Sequence, residues 1–300
     1  GTLTEGQPTV TAWLWAQYQE EDFKRILLAT EMNSPDPLAA AITAALREER
    51  ITPAPLDGCG VLKGKGVKSL CNGTEYWVGS HKLLKDYRAY LSDVLGDMLV
   101  EYESEGNSIV YFGREDELLA IIAVKDRLKA TASGVVKELR GQGLDICMLT
   151  GDGERTASAI AGKLGIIRYM SDAQPEDKEA FICELRLQGK KVVMVGDGVN
   201  DSPALGLADV GLAMGGGSDI AKEVADIILT DTDLAAIVRL RRMSQGLIDR
   251  LTSSYSKVML TNSALLALGI TGMITPQTSS LLHNGSTIAY SLSNAKAYLR

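Results

Sequence analysis

From Leu118 onward the sequence alternates short apolar runs with helical patterns, and this alternation restricts the fold more than any other feature of the chain. The runs LLAIIAV (118–124), DICMLTG (145–151), KVVMVGD (191–197), VGLAM (210–214) and IIL (227–229) are separated by segments of helical character. Continuous apolar strands, without in–out alternation, are expected where helices cover both faces of a parallel sheet. Right-handed crossovers place the C-terminal ends of such strands along one edge, where open α/β sheets bind ligands. The chemistry of the chain therefore belongs on the loops leaving these strands.

Residues 7–117 have a different character. EEDFKRILLATEM (20–32) and DPLAAAITAALREER (36–50) are amphipathic helices, the second opened by Asp36 as N-cap with Pro37 at the first helical position. Val67–Cys71 and Glu75–Val78 flank Asn72-Gly73, a two-residue hairpin signal. Helices followed by antiparallel strands make this a separate α+β unit.

The end of the chain changes again. Residues 258–295 carry no formal charge, His283 aside, and are broken at Thr275-Pro276. A helix on each side of the break approaches the roughly 30 Å of a bilayer's hydrocarbon core. Arg250 and Lys257 precede this segment, Lys296 and Arg300 follow it, and the tip has no basic residue, so both ends are expected on the cytoplasmic side. A transmembrane helical hairpin over 248–300 is the expectation, with the lipid bilayer as partner and residues 1–247 cytoplasmic.

Charge excludes one class of partner: 31 basic against 38 acidic side chains, a net charge of -7, give no nucleic-acid footprint. The four cysteines (Cys59, Cys71, Cys147, Cys183) form no C-x-x-C pair, which argues against a zinc knuckle or a disulfide scaffold and for reduced core thiols.

Three strand-end segments carry chemistry. MVGDGVNDSPAL (194–205) places Asp197 and Asp201 four residues apart with Asn200 between them, at the end of a buried strand. One or two carboxylate oxygens, with the rest of the shell from phosphate and water, are what Mg²⁺ takes. A calcium loop of the EF-hand kind is excluded, because Ser202 stands where glycine is required. MLTGDGERTASAIA (148–161) sets Thr150 and the Gly151 amide before a helix, where the dipole favours anions. QPEDK (174–178) puts Lys178 on the first turn of another helix, where an ammonium can offset charge on a transferring phosphoryl group.

The set TGD, P-x-x-K and GDG-x-ND-x-PAL, in that order behind the opening GTLTEG, resembles P-type ATPases of the haloacid-dehalogenase superfamily, whose signature reads DKTGTLT. The resemblance covers essentially the whole chain. It implies a Rossmann-like parallel sheet, an inserted α+β nucleotide-binding domain and the C-terminal hairpin. Residues 1–6 would be the first strand of the phosphorylation domain, 7–117 the insert and 118–247 the rest of that domain. The nucleophilic aspartate would lie three residues ahead of Gly1. A chain starting there is expected to be a fragment that does not turn over ATP alone and needs the upstream part of the same pump.

Carried over residue by residue, Asp197 would hold Mg²⁺, Asn200 and Asp201 would support it, Thr150 and Gly151 would grip the phosphoryl oxygens, and Lys178 would stabilise the transferring group. Asp152 would position nucleotide or lysine, Thr2 would line the pocket, and Lys125–Ala132, with Asp126, would be the hinge after the insert. The insert is similar to that of heavy-metal pumps: Glu31, Gly58, Gly60 and Gly79 match the ATP site, while Asp36 replaces the family's histidine near adenine. GCGVLKGKG (58–66) is not a Walker loop, since Gly66 stands where Ser or Thr is required.

His283, in a His-x-Gly-Ser-Thr run like that of some cobalt- and zinc-type members, and Asn262 on the preceding helix would meet the transported cation; helix–helix hydrogen bonding is equally open. Met259 and Met273 are either packing residues or soft ligands for Cu(I). The expected function is ATP-driven transition-metal transport through an aspartyl-phosphate. The alternatives are a soluble phosphatase of the same superfamily and a non-catalytic nucleotide-binding module.

Overall fold

The computed structural model describes residues 1–16 and 20–295, which fall into two compact units, Gly1–Leu234 and Ala235–Arg300. Lys296 and Arg300, expected as flanking charges, lie outside the described residues.

The first unit opens with residues 1–8, where the strand expected over 1–6 is reduced to an isolated antiparallel bridge between Thr4 and Leu128, flanked by the Glu5 amide on the Arg127 carbonyl and the Lys129 amide on the Leu3 carbonyl. The elements that follow are β1 (Thr9–Trp15), α1 (Glu20–Glu31), α2 (Pro37–Glu48), β2 (Gly58–Leu62), β3 (Gly66–Cys71), β4 (Thr74–Gly79), α3 (His81–Asp86), α4 (Asp93–Ser104), β5 (Ser108–Arg114) and β6 (Glu117–Lys125). Their strands form one antiparallel sheet in the order β1-β6-β5-β4-β3-β2.

Helices cover both faces of this sheet. Phe23, Leu27, Ile42 and Leu46 of α1 and α2 pack with Phe112, Leu119 and Ile122 on one face. Leu83, Leu84 and Leu99 of α3 and α4 pack with Trp77, Tyr111 and Ile121 on the other. The local signals are realised. Asp36 caps α2 by accepting from the Leu38 amide at 2.8 Å, and Asn72 and Gly73 turn the β3–β4 hairpin at φ 50° and 73°. Gly66 and Gly79 stand opposite each other in that hairpin, and a Cβ on either would come within 2.0 Å of the facing strand's carbonyl oxygen. The backbones cross there because neither residue has a side chain.

The run Leu118–Val124 corrects the sequence reading. It was expected to open the parallel sheet after a boundary at 117/118, but it is the interior of β6, paired antiparallel with β1 and β5. Two helical layers bury both of its faces, and that burial produces the same unbroken apolar run as a parallel strand.

The α/β part continues through α5 (Ala132–Gly141), β7 (Cys147–Leu149), α6 (Glu154–Leu164), β8 (Arg168–Met170), α7 (Pro175–Leu187), β9 (Val193–Gly196), a 3-10 turn (Val199–Asp201), α8 (Ser202–Leu207), β10 (Val210–Ala213), α9 (Asp219–Val224) and β11 (Ile227–Ile228). All its strand pairs are parallel, as expected, but they form two groups, β7-β8 and β11-β10-β9. Strand β8 lies between the expected strands at 145–151 and 191–197, where the sequence reading placed no strand. All four cysteines are free thiols, yet Cys59 and Cys183 are exposed rather than in the core.

The second unit is a helical hairpin of α10 (Ala235–Ile270) and α11 (Pro276–Asn294), so the first helix begins well before the expected boundary at 248. Among the described residues no helix is long and apolar enough to cross a membrane. Met259 and Met273 are exposed rather than packed. A polar seam joins the helices: Arg250 donates to the Ser293 carbonyl at 2.6 Å, Ser254 to Asn294 at 2.9 Å, and Thr261 and Tyr290 share a hydroxyl bond of 2.6 Å. His283 Nδ1 lies 2.9 Å from Asn262 Oδ1 in the same seam.

Candidate functional site

Strand β9 ends at Gly196, and the next residue, Asp197, turns its carboxylate onto the opening segment of the chain. Thr2 Oγ1 donates to Asp197 Oδ1 at 2.7 Å, and the Gly1 amino group is 3.6 Å from Oδ2. The Asp197 carbonyl accepts from the Ser218 amide at 2.7 Å, where Gly217 lets the backbones approach; a Cβ on Gly217 would lie 2.8 Å from that oxygen. Four residues beyond Asp197, Asp201 accepts from Lys178 Nζ at 2.7 Å, both side chains being largely buried. Lys178 reaches this point because α7 is started firmly: Pro175 occupies the first helical turn, and Asp177 Oδ2 accepts from the Gln174 amide at 2.9 Å.

Asp126 and Lys129 hold the opening segment in place. The Asp126 carboxylate accepts from the Gly6 and Gln7 amides at 3.2 Å each, joining the two chain crossings into the insert. Lys129 donates to the Thr2 carbonyl at 2.9 Å; burial lowers the pKa of its ammonium, against the opposing pull of Asp197, Asp126 and Asp233. Sequence reasoning placed Asp126 at a hinge but missed Lys129, which has no local signature and acts across 127 positions.

Thr150 and Asp152 follow β7. Thr150 Oγ1 donates to Asp152 Oδ2 at 2.6 Å, and the Asp152 amide donates back to Thr150 Oγ1 at 3.2 Å. The Thr150 carbonyl accepts from the Ala173 amide at 2.9 Å, so this loop adjoins the entry to the helix carrying Lys178. Gly151 and Asn200 are both exposed. The structure thus joins Thr2 to Asp197, Lys178 to Asp201 and Thr150 to Asp152.

Among the described residues no three His, Cys, Asp or Glu side chains are grouped to hold a metal ion. A part-exposed carboxylate at Asp197 instead suits a hard cation that takes most of its oxygens from phosphate and water.

The second set of expected residues lies on the antiparallel part. Glu31, at the end of α1, is only 5% exposed, and burial, with a further push from Asp36, moves its carboxyl from 4.5 up to about 8. Burial likewise pushes up the Cys59 thiol, and the Glu31 charge adds to the rise. Asp36 is committed to the cap of α2. Gly58 and Gly60, on edge strand β2, face open space where a Cβ would meet nothing closer than 4.0 Å, so no packing demands them. Gly79 is accounted for by the strand crossing with Gly66. Among the described residues no hydrogen bond or ion pair joins this group to the Asp197 loop.

Comparison with known proteins agrees with this layout. A family profile described as haloacid dehalogenase-like hydrolase matches residues 1–209, and a second of the same description matches 179–240. A probable copper-exporting P-type ATPase V of Mycobacterium tuberculosis is 36% identical over 277 residues, which is 92% of this chain and 36% of that protein. The crystal structure of a zinc-transporting PIB-type ATPase in its E2.Pi state superposes with a TM-score of 0.67 at 31% identity, covering 100% of this chain and 48% of the other. The catalytic domain of a CPx-ATPase, studied for its conformational changes on nucleotide binding, gives a TM-score of 0.65 at 30% identity over 80% of this chain and 84% of that domain. The chain therefore spans well under half the length of the curated relative it matches. It belongs to the haloacid dehalogenase-like hydrolase family, and its homologues are heavy-metal P-type ATPases.

Proposed function

We propose that this chain is the ATP-handling portion and a helical hairpin of a pump that moves a transition-metal cation across a membrane through an aspartyl-phosphate. The observation that carries the reading is the β9 loop, on which Asp197 meets Thr2 and Asp201 meets Lys178 within five residues. In this reading the Thr2–Asp197 bond ties the opening segment to the carboxylate that would hold Mg²⁺.

Mg²⁺, when held by Asp197, would supply positive charge to the phosphoryl oxygens. Lys178 adds a fixed ammonium whose position is set by Asp201 and the α7 cap. Thr150 and the Gly151 amide bind the remaining oxygens, which requires Thr150 to release its proton from Asp152. Asn200 supports the loop. ATP would be received on the antiparallel part, where the open glycines Gly58 and Gly60 leave room at the edge of β2, with Glu31, Asp36 and Gly79 as the further proposed nucleotide-site residues.

The hairpin's polar residues fit a membrane role only beside further helices, since a lipid-facing Asn262 or His283 would be costly. His283 and Asn262 are the proposed contacts for the cation. Nothing in this reading selects one metal.

Two measurements test it. The full-length protein, reconstituted in lipid vesicles with ATP, should accumulate at least one of Zn²⁺, Co²⁺, Cu⁺ or Mn²⁺; accumulation of none sinks the transport reading. Lys178→Met in the same protein should lower phosphoenzyme formation by roughly 10²-fold, the usual cost of one pre-organised charge. The hairpin's polarity favours a second reading, a phosphatase of the same family, and detergent-free solubility with phosphomonoester hydrolysis would establish it instead.

A further inference from the structure

The insert touches the phosphate-binding loop at one well-built point. Asn107, just before β5, is 1% exposed and fully engaged: its Oδ1 accepts from Thr11 at 2.7 Å, its Nδ2 donates to the Tyr102 carbonyl at 2.7 Å, and its own carbonyl accepts from Thr156 Oγ1 at 2.6 Å. Thr156 lies in the first turns of α6 and is itself buried. From this rigid post the next residue, Ser108, donates its hydroxyl to Asp152 Oδ1 at 2.6 Å. The other oxygen of that carboxylate holds the Thr150 hydroxyl.

We infer that Ser108 is a positioning residue for phosphate capture, holding the Asp152 carboxylate in place so that Thr150 can turn its hydroxyl hydrogen bond from Asp152 to a phosphoryl oxygen. Thr150 cannot donate to phosphate and to Asp152 at once, because a hydroxyl has a single proton. When Thr150 turns away, a half-buried carboxylate loses a donor, a loss that is costly when nothing else bonds the group. Ser108 keeps one oxygen bonded throughout, and the Asn107 network fixes where Ser108 stands. Without it, Thr150 becomes the one side-chain donor left to Asp152 among the described hydrogen bonds, and phosphate must compete with Asp152 for that proton. The same contact makes the competence of the loop depend on the position of the insert, since Ser108 belongs to the antiparallel sheet and Thr150 to the parallel part.

This role rests on the phosphoryl-handling reading of the Thr150 loop, and the experiment separates the two. In the full 300-residue chain, backbone amide exchange at residues 152–155 and their response to inorganic phosphate are measured for the native protein, Ser108→Ala and Ser108→Thr. Ser108→Ala should exchange roughly tenfold faster at these amides and bind phosphate roughly tenfold more weakly, the scale of one lost charge-assisted hydrogen bond. Ser108→Thr keeps the hydroxyl and should behave as native, a rescue that a purely steric role for the side chain would not give. Native exchange and native phosphate affinity in Ser108→Ala overturn the assignment. Faster exchange in Ser108→Ala with no phosphate response in any variant, native included, removes phosphate from this loop and overturns the capture role on different grounds.

Discussion

Asp197→Asn in the full-length protein should reduce Mg²⁺-dependent phosphoenzyme formation from ATP by roughly 10³-fold, with the fold intact. The substitution is nearly isosteric, and the amide oxygen can still accept the Thr2 hydroxyl that now reaches Asp197 Oδ1 at 2.7 Å. The backbone bond from the Ser218 amide is untouched. What disappears is one negative charge on a part-exposed carboxylate, and with it the affinity for a hard dication that takes few protein ligands. Loss of a metal's contribution to transition-state charge is worth several kcal/mol, which is where the factor comes from. Thermal denaturation matching the native protein, alongside lost phosphorylation, separates this from misfolding. Phosphoenzyme at the native level with the charge gone would discard the assigned metal role.

Glu31→Gln should stabilise the protein at alkaline pH. In the folded state burial raises this carboxyl from 4.5 to about 8, so the fold prefers the protonated form. For an acid shifted upward, the proton stays on the folded chain while the unfolded chain has released it. Stability is therefore full below about pH 4.5 and is lost as pH rises through the window to about 8. At 1.36 kcal/mol per unit the loss reaches roughly 5 kcal/mol. Glutamine keeps the shape without the titration. Urea unfolding at pH 5 and pH 9 should show this decline in the native chain and a flatter profile in the variant. Equal slopes in the two proteins would mean that Glu31 ionises without penalty.

The parts that were legible in the sequence share one property: their signal is local. Asp36 with Pro37 and Asn72-Gly73 each fix backbone geometry within a few residues, and the structure realises them. Asp197, Asp201 and Lys178 could be singled out as candidates because they sit in short motifs beside a strand end and a helix start. What was lost depends on distant chain. Leu118–Val124 looks the same whether α1, α2, α3 and α4 or crossover helices bury it, so its pairing partner could not be read. Strand β8 is three residues long and has no periodicity. Ser108 reaches Asp152 across 44 positions, and a lone serine carries no signature of such a partner. Thr150 was assigned to phosphate, whereas its hydroxyl is bonded to Asp152, a competition that appears only once the loop has coordinates.

The polar seam of the hairpin has a mechanical consequence. The contacts Arg250–Ser293, Ser254–Asn294, Thr261–Tyr290 and Asn262–His283 peg α10 to α11 at several heights. Sliding one helix along the other by a single turn of about 5.4 Å would unmake every peg together. An axial push on either helix is therefore delivered to both, and the pair travels as one strut.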